Sequence, residues 1–149
     1  MIPKSPKKKA KKKKSKSKSL KTLKTKLWTL TSEYIRKKYA DEHGYVSCVT
    51  CGVTRLWNDG IQAGHFIPKV KGLSVYFEEE NIHPQCMPCN VFDKGNYRAY
   101  TLFMIDTYGR EKIDELEALA KTELKISIPE YQERIEEMKE QLKLIKGEL

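Results

Sequence analysis

Two Cys-x-x-Cys pairs constrain this chain more than any other feature of its sequence. Cys48 and Cys51 form the first pair, Cys86 and Cys89 form the second, and 34 residues separate them. Four thiolates at this spacing suit a tetrahedral zinc ion with no open coordination position, so such an ion has a structural role and takes no part in hydrolysis. Disulfides are the less favoured alternative, because the basic N-terminus lacks the apolar run of a secretory signal. We therefore predict one structural zinc that joins two distant segments.

The segment between the cysteine pairs is longer than in a plain zinc ribbon, which usually leaves roughly 15–20 residues there. His65 lies inside this segment, near the end of an expected strand, and Asn90 follows the last cysteine directly. A zinc ion bound by Cys89 would fasten the start of the following helix against that strand. The distance from the imidazole to the amide would then be set, so we predict that the zinc frames a second, chemical site.

The residues at this second site match the needs of phosphodiester hydrolysis. That reaction needs a base to deprotonate water and a divalent cation to hold the scissile phosphate. His65 can supply the base, and Asn90 can supply an oxygen ligand for Mg²⁺ or Mn²⁺. Asp93 falls one helical turn beyond Asn90 and can face the same cation. A lone histidine on a strand is more often packed or solvated, but the position of His65 between the cysteine pairs favours the catalytic interpretation.

The charge of the chain is concentrated at its N-terminus. The net charge is +9, yet Met1–Lys26 holds 13 lysines and no acid, which leaves 16 basic against 20 acidic residues in the rest. A segment this polar cannot bury enough apolar surface to offset the entropy of ordering, so we predict a disordered tail. Nucleic acid is a more natural partner for it than an anionic membrane, because nothing amphipathic or lipidated accompanies the lysines. A solubilising or localising tail is the plainer alternative.

No stretch of the sequence approaches the roughly 20 apolar residues of a membrane span. The composition therefore predicts a cytoplasmic protein without a membrane partner.

The hydrophobic periodicity predicts an α+β fold. A leading helix is expected over 27–44. Asn58-Asp59-Gly60 between apolar segments favours a hairpin whose return strand is Ile61–Ile67, and a further strand is expected over Leu73–Phe77. Together with the cysteine pairs, these elements define a zinc-bound core over 45–108.

Three helices are predicted toward the C-terminus, over 90–108, 111–121 and 129–146. Ser127 is a candidate N-cap for the last one. Apolar residues of that helix alternate in steps of three and four, which is the pattern of a coiled-coil seam. We expect the seam to pack on the preceding helix, so that 109–149 forms a helical hairpin. A second subunit, and hence a homodimer, is the alternative partner for the seam.

Several short motifs follow one another along the chain: Cys48-Val-Thr-Cys51-Gly52, Ala63-Gly64-His65, Asn81-Ile82-His83-Pro84-Gln85-Cys86 with Cys89-Asn90, and Gly95-Asn96-Tyr97. Taken together, these motifs resemble those of the HNH, or ββα-metal, endonucleases, and in particular of the NinG (Rap) recombination nucleases of lambdoid phages. The likeness runs from about Tyr34 to Met138. The zinc pairs followed by asparagine also resemble those of phage endonuclease VII, a resolvase of branched DNA. The resemblance implies a zinc-stapled ββα-metal core within a nuclease domain over 27–149.

Roles for individual residues follow from this resemblance. It implies His65 as the general base, Asn90 as a ligand of the catalytic cation, and Asp93 as a supporting ligand. It also implies that Asn81, the middle asparagine of the HNH pattern, braces the loop that carries the base.

One position departs from the pattern. Many HNH sites have aspartate or histidine directly before the base as a metal ligand, whereas this chain has Gly64. His83, or an acid such as Asp59, could complete the coordination shell, or the DNA phosphate could supply more of it. His83 could equally be a structural histidine beside the zinc.

The function implied is a metal-dependent, structure-specific DNA endonuclease acting on branched recombination intermediates such as Holliday junctions or D-loops. Phage recombination proteins or single-strand-binding proteins are expected as partners, and a bacterial host cell as the location. Two alternatives stay open: a catalytically silent zinc module that binds DNA and recruits other proteins, and an HNH nicking or packaging nuclease that acts on duplex DNA.

Overall fold

The computed structural model describes residues 7–145, with side-chain surroundings from Ser19 onward. The helices are α1 (Lys7–Lys38), α2 (Leu73–Tyr76), α3 (Tyr97–Tyr108), α4 (Arg110–Ala120) and α5 (Ile128–Ile145). The strands are β1 (Tyr45–Ser47), β2 (Thr54–Leu56), β3 (Ile61–His65) and β4 (Ile82–Cys86). The predicted α+β class is confirmed. Within the described range, every helix is too short or too polar to cross a membrane.

Helix α1 begins well before the predicted start at Leu27. The backbone of residues 7–26 is helical, where the sequence predicts a disordered tail. Lysine is a good helix former, and glycine and proline are absent from residues 7–38, so a helix anchored by packing further along can extend backwards. Met1–Pro6, the remainder of the predicted tail, lies outside the described residues.

The coiled-coil seam of α5 packs within the chain, as expected, but against a different helix. The residues that share this core are Leu23, Leu27, Leu30, Ile126, Tyr131, Ile135 and Met138. The partner is therefore α1 and not α4, so the predicted C-terminal hairpin is wrong. Helix α4 is unavailable because Ile113 and Leu116 are already buried against α2 and α3.

Ser127 caps α5 as predicted. The amide of Glu130 donates to the Ser127 hydroxyl at 3.3 Å, and the Ser127 amide donates to the Glu130 carboxylate at 2.9 Å. This reciprocal pair is a capping box, which satisfies two amides at the start of the helix.

The strands form two separate antiparallel pairs. β1 pairs with β2, with Val46 opposite Arg55, and β3 pairs with β4, with Gly64 opposite His83. The predicted hairpin at Asn58-Asp59-Gly60 is wrong, because that turn connects β2 to β3, which belong to different pairs and do not pair with each other. The first pair encloses the Cys48/Cys51 knuckle, whose short turn folds the chain back before the Asp-Gly turn is reached.

Two further elements differ from prediction. Leu73–Tyr76 is a short helix, where a strand over Leu73–Phe77 is expected, because Val75 is buried beneath α4 and α3. The predicted helix over 90–108 is divided into a π-helical turn at Pro88–Phe92 and helix α3. Between them, Lys94, Gly95 and Asn96 have φ angles of 51°, 96° and 46°, which no continuous right-handed helix permits.

Helix α1 lies across the β3–β4 pair and fixes it in place. Ile35 packs on Ala63 and Ile82, and all three side chains are buried. On the cysteine side, Ile61 is buried with the thiols and with Val46. Strand β3 therefore lies under α1 and contacts the cysteine cluster at its first residue, and the candidate site lies along this strand.

Candidate functional site

The four cysteines converge as predicted. Their sulfur atoms all lie within 4.8 Å of one another, and Sγ of Cys51 and Cys86 are 3.6 Å apart. A disulfide would need about 2.05 Å, so the thiols are free. Sulfur atoms of a tetrahedral zinc site with Zn–S distances of about 2.3 Å lie close to 3.8 Å apart. The cluster therefore has the donor set and the spacing that could hold a zinc ion.

Hydrogen bonds and burial shift the pKa values of the cluster's thiols in opposite directions. Burial raises the pKa of Cys48, but the Thr50 hydroxyl and nearby backbone amides outweigh it and bring that pKa to about 6. Burial raises the pKa of Cys86 to about 12, and the neighbouring thiols add to this shift. Four crowded sulfurs cannot all ionise without a cation between them, which is the role a bound zinc ion would fill.

A cleft of about 710 Å³ opens between α1, strand β3 and the segments 68–70 and 90–95, the second of which follows Cys89. His65 and Asn90 both line it, so the structure brings together the two residues that the sequence predicts to act together. The charged residues of its wall are Arg36, Lys69 and Lys94, all basic. A concave surface with this charge suits a polyanion such as a nucleic acid backbone.

The imidazole of His65 is oriented by three contacts. Its Nε2 atom lies 2.8 Å from the backbone oxygen of Tyr76, and a carbonyl only accepts, so Nε2 carries the proton. Nδ1 of the neutral ring is then an acceptor, and no hydrogen bond to it is found among the described residues. Trp28 stacks on the ring at 4.8 Å between centroids, and Tyr76 lies edge-on at 5.4 Å.

This environment favours the neutral form of His65. Burial lowers its pKa below the usual value, and the positive charge of Lys69 acts in the same direction, while the Tyr76 carbonyl opposes them. At neutral pH the ring therefore has an acceptor nitrogen available. The sequence did not indicate Trp28 or Tyr76, because both reach His65 only through the tertiary packing of α1 and α2.

Asn81 is fully buried and joins the two ends of the segment that follows His65. Its Oδ1 accepts from the Ile67 amide at 2.7 Å. Its Nδ2 donates to the carbonyls of Ile67 and Val75, both at 3.0 Å. These bonds close the loop between β3 and α2. The last residue of α2, Tyr76, supplies the carbonyl that orients His65. The geometry is that of a brace, which is the role the resemblance implies.

Asn90 and Asp93 have different surroundings. Asn90 donates from Nδ2 to Oε1 of Gln62 at 2.8 Å, which leaves its own oxygen free of that bond. Asp93 is exposed and lies outside the described cleft wall. A π-helical turn places residue i+5, not i+3, over residue i, so Asp93 leaves the face of Asn90. The structure therefore does not bring Asp93 into the cleft wall with Asn90, and its role as a cation ligand stays a prediction.

His83 has a structural role. It is fully buried, with Nδ1 2.9 Å from the Tyr100 hydroxyl and Nε2 2.7 Å from the Tyr108 hydroxyl. The Tyr100 hydroxyl itself donates to the Gly64 carbonyl at 2.7 Å. Burial lowers the pKa of His83 to about 4, so it stays neutral. His83 therefore supports β3 through the Tyr100 hydroxyl. Neither His83 nor Asp59 lines the cleft.

Taken together, these features define an α+β domain with a four-cysteine cluster that could bind zinc, placed beside a basic cleft that contains a histidine. The family model described as Bacteriophage Lambda NinG protein matches residues 3–148. The chain therefore belongs to the NinG family, as its motifs indicate.

Similar proteins come from several phages. The ninG protein of Salmonella phage P22 is 29% identical over 113 residues, which cover 72% of this chain and 53% of the relative. That of Escherichia phage lambda is 30% identical over 112 residues, covering 71% and 52%. That of Escherichia phage 933W is 33% identical over 85 residues, covering 57% and 39%. The chain spans about half the length of its relatives or less, and no solved structure matches it.

Proposed function

We propose that this protein is an HNH-type, metal-dependent DNA endonuclease that acts on branched recombination intermediates. The observation that carries the proposal is the state of His65. A neutral imidazole, which donates to a carbonyl from one nitrogen and can accept on the other, lines a basic cleft that Asn90 also lines. That is the arrangement a general base for phosphodiester hydrolysis requires.

The order of elements supports the HNH assignment. His65 ends strand β3, β4 returns antiparallel to it, and Asn90 follows in the helical turn directly after the second cysteine pair. A strand–strand–helix unit that carries the base on the first strand and a cation ligand on the helix is what the resemblance implies. A zinc ion bound by all four cysteines would fasten the helical turn to β4 and to the knuckle between β1 and β2.

The chemistry is divided among the residues of the cleft. Nδ1 of His65 accepts a proton from the attacking water. Arg36 and Lys69 attract the phosphate backbone, and the burial of the imidazole, on which Trp28 stacks, favours its neutral form. A Mg²⁺ or Mn²⁺ ion held in part by the Asn90 oxygen would stabilise the charge that develops on the phosphate and on the leaving oxygen.

The rim of the cleft supports a branched substrate. Val70, which lines the cleft, stands 84% exposed between Lys69 and Lys71, and Val91, which also lines it, is 51% exposed and precedes Phe92, which is 71% exposed. Apolar side chains among basic ones are suited to contact bases that have lost a stacking neighbour, since proteins that unstack DNA insert such wedges. Base faces of this kind are exposed where a duplex ends in a branch. Recombination or single-strand-binding proteins of the phage, in the host cytoplasm, are the partners that such a substrate brings.

A catalytically silent DNA-binding module is the second candidate, and one observation favours it. The described wall of the cleft includes no aspartate or glutamate, whereas Mg²⁺ sites in enzymes usually contain one or two carboxylates. A nuclease that nicks ordinary duplex DNA is the third candidate.

One experiment separates these candidates. Purified, zinc-loaded protein is incubated with a duplex, a fork and a four-way junction of matched length, in Mg²⁺, in Mn²⁺ or in EDTA. The proposal predicts metal-dependent cleavage of the fork or junction at a rate well above that of the duplex. Equal cleavage of all three would favour a duplex nickase, and junction binding without cleavage in any metal would favour the silent module.

A further inference from the structure

The Gln85 side chain is buried, and hydrogen bonds donated by its amide nitrogen to two acceptors fix the orientation of the amide. The side chain is fully enclosed, and its Nε2 donates to the Gly95 carbonyl at 2.8 Å and to the Thr50 hydroxyl at 3.1 Å. A carbonyl only accepts, so the nitrogen must face Gly95. The Thr50 hydroxyl is also 3.2 Å from the Cys48 sulfur, and it can donate there while accepting from Gln85. The cysteine cluster therefore helps to orient this amide.

The Gln85 oxygen is left without a hydrogen-bond partner among the described residues. Buried polar atoms are nearly always paired with protein, water or an ion, so an orphaned oxygen indicates a missing group. The direction of this oxygen is set by the amide, which cannot rotate without losing both of its donated bonds.

The orphaned oxygen points to the place where the missing metal ligand would be. A Cβ atom built on Gly64 would lie 1.9 Å from Oε1 of Gln85 and 3.0 Å from Oδ1 of Asn90. The two oxygens are thus within about 5 Å of each other. Oxygens bound to one Mg²⁺ at about 2.1 Å are roughly 3–4 Å apart. Gly64 has no side chain, and the Gln85 oxygen fills the position that a side chain would otherwise occupy.

We propose that Oε1 of Gln85 is a ligand of the divalent cation together with Oδ1 of Asn90, and that it replaces the ligand absent at Gly64. This inference rests on the proposed function, because it concerns the cation of the same site. It also assigns a reason for glycine at position 64: any larger residue would displace the Gln85 oxygen.

The test uses two variants of the full chain that differ in one property. Gln85→Met and Gln85→Glu both lose the bonds donated to Gly95 and Thr50, but only the glutamate keeps an oxygen. Mn²⁺ binding to zinc-loaded protein is measured by electron paramagnetic resonance. Gln85→Met should weaken binding by about tenfold or more, as should Asn90→Ala, since even outer-shell changes cost 10–100-fold. Gln85→Glu should bind Mn²⁺ at least as tightly as the wild type.

Two results would overturn the inference: wild-type affinity in Gln85→Met, or equally weak binding in Gln85→Met and Gln85→Glu. Zinc content and thermal unfolding without Mn²⁺ are recorded for each variant. If neither variant folds, the wild type gives a second readout. Titration with Mg²⁺ should shift the ¹³C resonances of Gln85 Cδ and Asn90 Cγ together. An unmoved Gln85 signal would contradict the inference and is the result expected if a water molecule satisfies the oxygen.

The proposed function is tested independently. If cleavage depends on His65 but Mn²⁺ binding is unchanged by substitution of Gln85, the Gln85 inference is wrong while the proposed nuclease function is supported. Mn²⁺ binding that needs Gln85, in a protein that cuts no DNA, would keep the cation site and remove the nuclease.

Discussion

At the scale of single residues, the state of His65 determines how activity should depend on pH. Its pKa is lowered, first by burial, so the free base persists to more acidic pH than for an exposed histidine. A general base works only when deprotonated. The rate of junction cleavage should therefore stay level at neutral pH and fall as pH drops through this lowered pKa. A pH–rate profile measures this, and a rate that already falls above the usual histidine pKa would contradict it.

Gly64 gives a second prediction at this scale. A methyl group there would meet Oε1 of Gln85 at 1.9 Å, and overpacking of this kind typically costs about 1–3 kcal/mol. Gly64→Ala should lower the free energy of unfolding by that amount, measured by chemical denaturation. Gln85→Ala removes the obstruction. The double variant Gly64→Ala/Gln85→Ala should therefore lose less free energy of unfolding than the sum of the losses in the two single variants. Strict additivity would mean that the two side chains do not compete for this space.

Residue-level prediction from sequence succeeded where chemistry and spacing were sufficient. The four cysteines converge, and His65 and Asn90 share a cleft, because the cysteine pairs tie their two segments together. The expected α-helical spacing from Asn90 to Asp93 is not observed, since nothing in the local sequence distinguishes a π-helical turn from an α-helix. Gln85 was not predicted either, because its role depends on Gly95 and Thr50, which are distant in the chain.

At the scale of elements, helix α1 both carries charge and builds the core. Leu23 and Leu27 pack on α5, and Lys24 lies 4.5 Å from the ring centroid of Tyr76. Deleting residues 1–18 removes ten of the 13 N-terminal lysines without touching these contacts. The deletion should weaken binding to every DNA shape by a similar factor, because the phosphates that such lysines contact are present in all of them.

The salt dependence of binding measures this loss. Each phosphate contact contributes a slope of about −0.9 to log affinity against log salt on duplex DNA, so the plot should flatten. Thermal stability should change little, in contrast to deletion of residues 1–26, which also removes Leu23. An unchanged salt slope would mean that the lysines of residues 1–18 do not contact DNA, and a loss confined to junctions would make them a recognition element.

The errors of element prediction share one physical cause. The seam on α5 could be identified from its spacing, but its partner could not, because α1 and α4 both carry apolar residues at helical spacing and only the tertiary fold decides between them. The short segment at Leu73–Tyr76 was equally ambiguous, since four apolar-rich residues fit a strand or a helical turn.

At the scale of the whole molecule, stability should depend on the cysteine cluster. The cluster joins the β1–β2 pair to the turn that carries Asn90, and a site of four thiolates contributes its binding energy to folding. Metal analysis should find about one zinc per chain. Cys86→Ser should lose the metal together with most of the cooperative unfolding transition. Metal-free protein with wild-type stability would show that the cluster does not need an ion.

The central claim is that the cleft hydrolyses DNA with His65 as the base, and the most direct test is the rate of junction cleavage in His65→Ala. Loss of a positioned base should reduce the rate by about 10²–10⁴-fold, while junction affinity stays nearly unchanged because phosphate contacts dominate binding. His43→Ala, at an exposed histidine away from the cleft, is the matched control and should cleave at the wild-type rate. Wild-type cleavage by His65→Ala, with the His43 control equally active, would contradict the account.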